Sequence, residues 1–180
     1  MRKHLLRWET AGALFVCATG TLLHFLYRWS GDNAVVAAFS AVNESTWEHM
    51  KIFFVPYFAF TMVQFVVFAE PFRGFFACKG ASAAAGLLLI PVLFYTINGA
   101  IGETPDWVNI AIFYVAAALT YLLSFRLLTH GALRSGWAQI VGFLLLWLLL
   151  FAFVYFTYRT PKFPIFRDPV THCYGLGRTC

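Results

Sequence analysis

Residues 42–51, VNESTWEHMK, concentrate the reactive side chains of the chain. Asn43, Glu44, Ser45, Glu48, His49 and Lys51 fall within this one segment, beside Trp47. If the segment is helical, i,i+4 spacing puts Glu44 over Glu48 and Ser45 over His49. His24 ends an upstream apolar run and reaches the same level. Imidazole and carboxylate groups form the mixed N/O ligand set that zinc accepts. The expected metal ligands are His24 and His49, with Asp168 from the tail as a ligand or its supporting partner. Glu44 and Glu48 are each candidate ligand or general base, and a metal-bound water is the candidate nucleophile. Ser45 with His49 as base is a second arrangement for nucleophilic attack. Asn98, Asp106 and His172 approach from the same side and complete the polar cluster with Asn43, Trp47 and Lys51.

Simpler accounts of some of these residues stay open. Ser45-Thr46-Trp47-Glu48 has the S-x-x-E form of a capping box, and acids at a helix start are favoured by its dipole. Trp47 fits an interfacial anchor. Asp168-Pro169-Val170-Thr171 fits an Asx-type turn. These accounts cover Ser45, Glu48 and Trp47 better than His24, Glu44 and His49.

The elements that position the cluster follow from composition. Of 180 residues, 61% are hydrophobic and 12% charged. A soluble domain carries roughly 45–50% apolar and about 25% charged residues. This excludes a soluble globule, a collagen, a disordered chain and a disulfide scaffold. The net charge of +5 comes from basic residues scattered between apolar runs, so it marks membrane orientation rather than a nucleic-acid surface. Uncharged runs at 10–27, 52–69, 80–102, 107–125 and 135–158 are each long enough to cross the hydrocarbon. The expected fold is all-α: a five-helix transmembrane bundle over 1–158, followed by a Pro-rich tail, 159–180, folding back on the polar face. A run at 34–42 is too short to cross and reads as an interfacial or re-entrant helix. The first apolar run passes Cys17 without a small-residue cleavage site, so it reads as an uncleaved span.

Five spans put the termini on opposite sides. Basic residues divide almost evenly, but Asp32, Glu44, Glu48, Glu103, Asp106 and Asp168 gather on the second side. Arg2, Lys3 and Arg7 before the first span place the N-terminus in the cytoplasm of a cell-membrane protein and the C-terminus outside. Glu70 and Lys79 read as solvated loop charges. Cys173 and Cys180, in the tail, either pair or stay as thiols. A small-solute transporter using the same polar cluster is an alternative to a hydrolase acting on a lipid or amphiphile, and a purely structural membrane partner is a third reading. Thr61, Gln64, Thr120 and Ser124 are the sparse polar candidates for a pore. No ionisable group is expected mid-span, which favours a site at the surface.

HFLYRWSG at 24–31, FSAVNESTWEHMK at 39–51 and Pro56 resemble the signature of a family of small bacterial multi-pass membrane proteins. The segment at Tyr95, Thr96 and Gly99 and the closing Asp168-Pro169-Val170-Thr171 with Tyr174-Gly175 are similar too. The resemblance covers essentially the whole chain and implies no assigned activity. Ser45-x-x-x-His49 also resembles one element of the seven-span, zinc-dependent ceramidase and adiponectin-receptor-like hydrolases. This chain has five spans and lacks their late H-x-x-x-H pair, so that likeness is analogy.

Overall fold

The computed structural model describes residues 2–68, 73–102 and 105–176, without the side chains of Phe68 and Asp106. The long helices are α1 (Arg2–Trp29), α3 (Thr46–Phe68), α4 (Phe75–Ile101), α5 (Asp106–His130) and α6 (Gly136–Tyr158). A four-residue helix, α2 (Ala34–Ala37), follows α1, and a single 3-10 turn (Pro164–Phe166) follows α6. All five long helices are long and apolar enough to cross a membrane. Pro56 and Pro91 lie inside α3 and α4, as the sequence places them.

α1 and α5 overrun the uncharged runs that mark them at both ends, α3 and α4 overrun theirs at the start, and α6 stays within its run. An uncharged run measures hydrocarbon thickness, whereas a helix continues for as long as its backbone bonds are satisfied. Two expectations are corrected. Glu9 and Lys79 are not outside the spans but within α1 and α4, where they face the bundle. The helix expected at 34–42 stops after one turn. Asn33 caps it by accepting from the Val35 and Val36 amides at 2.9 and 3.3 Å. Residues 38–45 then fold irregularly, with the Ala41 amide donating to the Leu23 carbonyl at 3.2 Å.

α3 runs through the centre. It is apolar on most sides, packed against its neighbours over its first half and exposing Val63, Phe65, Val66 and Val67 towards its end. Of its most apolar window 56% is buried, against 17% for α1. Phe53, Phe54 and Tyr57 are fully buried and pack with Phe113 of α5 and Phe153 of α6. α4 meets α6 where Gly80 opposes Gly142: a Cβ on Gly80 would lie 3.1 Å from the Gly142 Cα. Small residues at such a crossing let backbones approach closely. α6 exposes Leu144, Trp147, Leu148 and Phe151, an apolar face suited to lipid.

The tail packs over the α3 N-terminus. Trp47 sits between Phe153 and Phe166, with ring centroids 4.6 Å from each. It therefore points inward rather than anchoring at an interface. The Asn43 side chain donates to the Gly175 carbonyl at 2.7 Å, tying the tail to the loop before α3. Cys173 is disulfide-bonded, and Cys17 and Cys78 are thiols. Cys180, Glu70 and Glu103 lie outside the described residues.

Candidate functional site

The site begins with the cap of α3. The Ser45 hydroxyl accepts from the Glu48 amide at 3.4 Å, and the Asn43 side chain accepts from the Ser45 amide at 2.9 Å. α3 therefore starts at Thr46, and Glu44 stays in the loop before it. There Glu44 meets two imidazoles. Its Oε2 lies 3.2 Å from His24 Nε2 and 3.8 Å from His49 Nε2. The two imidazole rings are 5.3 Å apart between centroids. The three ligand atoms lie within 4.8 Å of one another. All three side chains are about a quarter to a third exposed, so the cluster opens to its surroundings.

Hydrogen bonding fixes the His49 tautomer. Nδ1 lies 3.0 Å from the Ser45 carbonyl, which can only accept, so Nδ1 carries the proton. In the neutral ring, Nε2 then presents a lone pair towards the Glu44 carboxylate. Two acceptor atoms facing each other favour a proton or a cation between them. A backbone carbonyl holding the far nitrogen is also the usual support of a metal-ligating histidine. A tetrahedral zinc with ligands about 2.0–2.1 Å away holds them roughly 3.3 Å apart. The trio thus needs to contract by an ångström or so. The His24 hydrogen bond, helped by charge on His24, His49 and Arg28, holds the Glu44 carboxyl below the usual carboxylate range, against the opposing effect of its partial burial. Glu44 is the carboxylate a cation would meet.

The other expected site residues have different partners. Glu48 does not join the trio: its carboxylate meets Lys51 Nζ at 2.6 Å and accepts from the Val42 amide at 3.0 Å. Lys51 also donates to the Ala37 carbonyl at 2.9 Å and the Thr157 hydroxyl at 2.8 Å. Both side chains are almost wholly buried, so Glu48 is not placed to work as a base. Ser45 is buried and its hydroxyl is used by the cap. His49 bonds its carbonyl instead, so the expected Ser45–His49 pair does not form. Asp168 is buried in the tail, where its carboxylate accepts from the Val170 and Thr171 amides at 2.8 and 3.3 Å. That is an Asx turn, and the carboxylate is not grouped with His24, Glu44 and His49. Asn98 donates to the Phe94 carbonyl at 2.8 Å within α4. His172 is exposed on the tail, and the Asp106 side chain lies outside the description.

A second ionic centre occupies the opposite end. Lys79 Nζ meets the Glu9 oxygens at 2.7 and 2.9 Å, and Gln64 donates to Glu9 at 2.8 Å. The Tyr57 hydroxyl donates to the Lys79 carbonyl at 2.9 Å, and Lys79 Nζ lies 5.1 Å from the Tyr121 ring centroid. Lys79 is fully buried, which overturns its reading as a solvated loop charge. Glu9 and Lys79 both lie near the starts of their helices rather than mid-span. One signal could have found the pair. Glu9 and Lys79 each abut an uncharged run, have opposite sign, and precede spans that start at the same end.

Five spanning helices with a half-exposed His–Glu–His cluster at one end define a multi-pass membrane bundle. Within that class the chain belongs to DUF6512, a family of unknown function, whose model matches residues 1–176. No curated protein and no solved structure matches the chain.

Proposed function

We propose that this protein holds a divalent transition metal, zinc by its ligand chemistry, on His24, Glu44 and His49. We propose further that it uses the metal to hydrolyse a lipid or other amphiphile at the membrane surface. The observation that carries this reading is the convergence of two imidazole Nε2 atoms on one carboxylate oxygen, with His49 Nδ1 engaged by the Ser45 carbonyl. Two histidines and one glutamate form a ligand set found in catalytic zinc sites, which keep a position open for water. Bound there, zinc would lower the pKa of that water towards neutrality. The residues of the chain supply the rest. The Ser45 carbonyl orients His49, the Asn43 and Ser45 turn places Glu44, and the Glu48–Lys51 pair holds the backbone at Val42. Under the charge argument from Arg2, Lys3 and Arg7, the N-terminus is cytoplasmic and the site faces outward from the cell membrane.

Elemental analysis of the purified chain tests the metal, and turnover of amphiphilic esters and amides tests the reaction. The expected result is stoichiometric zinc, lost in His49→Ala, with hydrolysis that stops on chelation and returns with zinc. A wild type that neither carries nor takes up zinc overturns the reading. Zinc without turnover removes the hydrolase and leaves a structural metal.

The Glu9–Lys79 centre favours a second reading, a small-solute transporter. Thr61, Gln64, Thr120 and Ser124, the expected pore candidates, are all buried in the bundle. An ionisable pair buried inside a spanning bundle is by default a functional candidate. Proton- or ion-driven solute uptake into vesicles, abolished in Glu9→Gln, would decide for it.

A further inference from the structure

An open groove is lined in part by the segments that carry and support the trio. Thr46, Phe94, Tyr95, Arg167, His172 and Tyr174 line this groove, between the end of α4 and the folded-back tail. Both of its rims lead to Glu44. Thr46 is two residues on from Glu44 and three before His49 at the start of α3. Tyr174 adjoins Gly175, whose carbonyl holds the Asn43 side chain at 2.7 Å, and Asn43 adjoins Glu44.

The groove has two chemical ends. Its walls are mostly apolar, and its charged group is Arg167. Arg167 Nε donates to the His172 carbonyl at 3.4 Å, which steadies the guanidinium. Among the described residues no carboxylate pairs with it. An exposed guanidinium without an acid partner offers the planar fork that binds phosphate bidentately. At the other end, Tyr95 is continuous with Val92 and Leu88 on α4, which are 47, 58 and 66% exposed. Spacings of three and four put these side chains in one stripe, directed from the groove into the hydrocarbon.

We infer that this groove binds an anionic lipid, with its phosphate headgroup on Arg167 and an acyl chain along the Tyr95–Val92–Leu88 stripe. The inference rests on the trio being the reaction centre, and it names the substrate class of that centre. Hydrolysis of an ester there breaks the acyl C–O bond. The hydroxyl of water joins the acyl carbon and the proton goes to the leaving alkoxide oxygen, so no oxidant or reductant is required.

The test is native mass spectrometry of the delipidated full chain with chelator present. The probes are phosphatidylglycerol, phosphatidylcholine and inorganic phosphate. The expected result is selective retention of phosphatidylglycerol, weakened about tenfold in Arg167→Gln and further in Arg167→Glu. Arg159→Gln, a tail arginine outside the groove, should leave retention unchanged. Equal retention of both lipids overturns the inference, as does an equal loss in Arg159→Gln. Inorganic phosphate that displaces the lipid one for one overturns it too, by reassigning the site to free anion. The metal reading is scored separately on the same samples without chelator. Zinc retained by Arg167→Gln without lipid selectivity sinks the groove and spares the trio. Lipid selectivity in a chain that takes no zinc does the reverse.

Discussion

Glu9 and Glu44 are both carboxylates that meet nitrogen partners at the edge of a helical bundle, and they end in opposite conditions. Glu9 is saturated: Lys79 takes both of its oxygens, Gln64 adds a third bond, and water is shut out. Glu44 is shared by two imidazoles, is a third exposed, and faces a histidine lone pair. A saturated buried pair has little left to bind and a steep cost of disruption, so it fixes packing. A half-exposed carboxylate with an unmet acceptor beside it costs little to disturb and retains capacity for a ligand. Glu48 sits at the same end as Glu44, yet it is the Glu9 kind of group, because Lys51 has claimed it. Location alone does not separate working carboxylates from structural ones; the state of their partners does.

The comparison breaks most visibly at Lys79. Lys79→Met leaves the Glu9 charge buried without its cation and should cost about 3–5 kcal/mol in reversible unfolding. The double variant Glu9→Leu with Lys79→Met should recover most of that loss. Zinc affinity should stay at the wild-type value in both. A double variant as unstable as the single would mean the centre does more than balance charge.

Lys51→Met should lower stability on a similar scale, about 3–5 kcal/mol, because it strands Glu48. It should also act on the trio. Glu48 holds the Val42 amide two residues before Glu44, so losing its partner loosens the loop that presents Glu44. Supporting contacts of this kind are worth about 10–100-fold in metal affinity. A zinc titration of Lys51→Met against Lys79→Met reads that difference directly. Equal affinities would remove the positioning role of the Glu48–Lys51 pair.

Much of this architecture was legible beforehand, for identifiable reasons. Five uncharged runs marked five spans because hydrocarbon excludes charge, whatever the helices do at their ends. His24 and His49 were placed at one level because each lies near the end of a span on the same side. The choice between Glu44 and Glu48 was not legible. The i,i+4 rule treats both as helical, but the Ser45 cap starts α3 at Thr46 and leaves Glu44 off the helix. Lys51, three residues after Glu48, then competes for it. The Glu9–Lys79 pair was hidden because reading charges as span boundaries assigns them to water. Asp168 was legible both as ligand and as turn, and only the positions of the Val170 and Thr171 amides decide between them.

A smaller effect should come from Gly142→Ala. Its Cβ would meet the Ala77 backbone, with N and Cα both at 2.6 Å, and force α4 and α6 apart. The expected loss is about 1–3 kcal/mol, with zinc binding unchanged. The smallest effect is the acid response of Glu44. Its carboxyl is held below the usual range, mainly by His24, so its contribution to stability is present above that range. The contribution disappears as pH falls through the depressed value. Glu44→Gln should therefore be slightly less stable than wild type at neutral pH, converge with it in acid, and show a flatter acid limb in a stability–pH profile. An acid limb that is unchanged in Glu44→Gln would assign that response to other groups.

X-ray absorption at the zinc edge, on the zinc-loaded full chain, tests the central claim most directly. The account predicts a light-atom shell of nitrogen and oxygen about 2.0–2.1 Å from zinc, with the outer-shell signature of two imidazoles that falls to one in His49→Ala. A sulfur shell near 2.3 Å, or an imidazole signature untouched by His49→Ala, would contradict it.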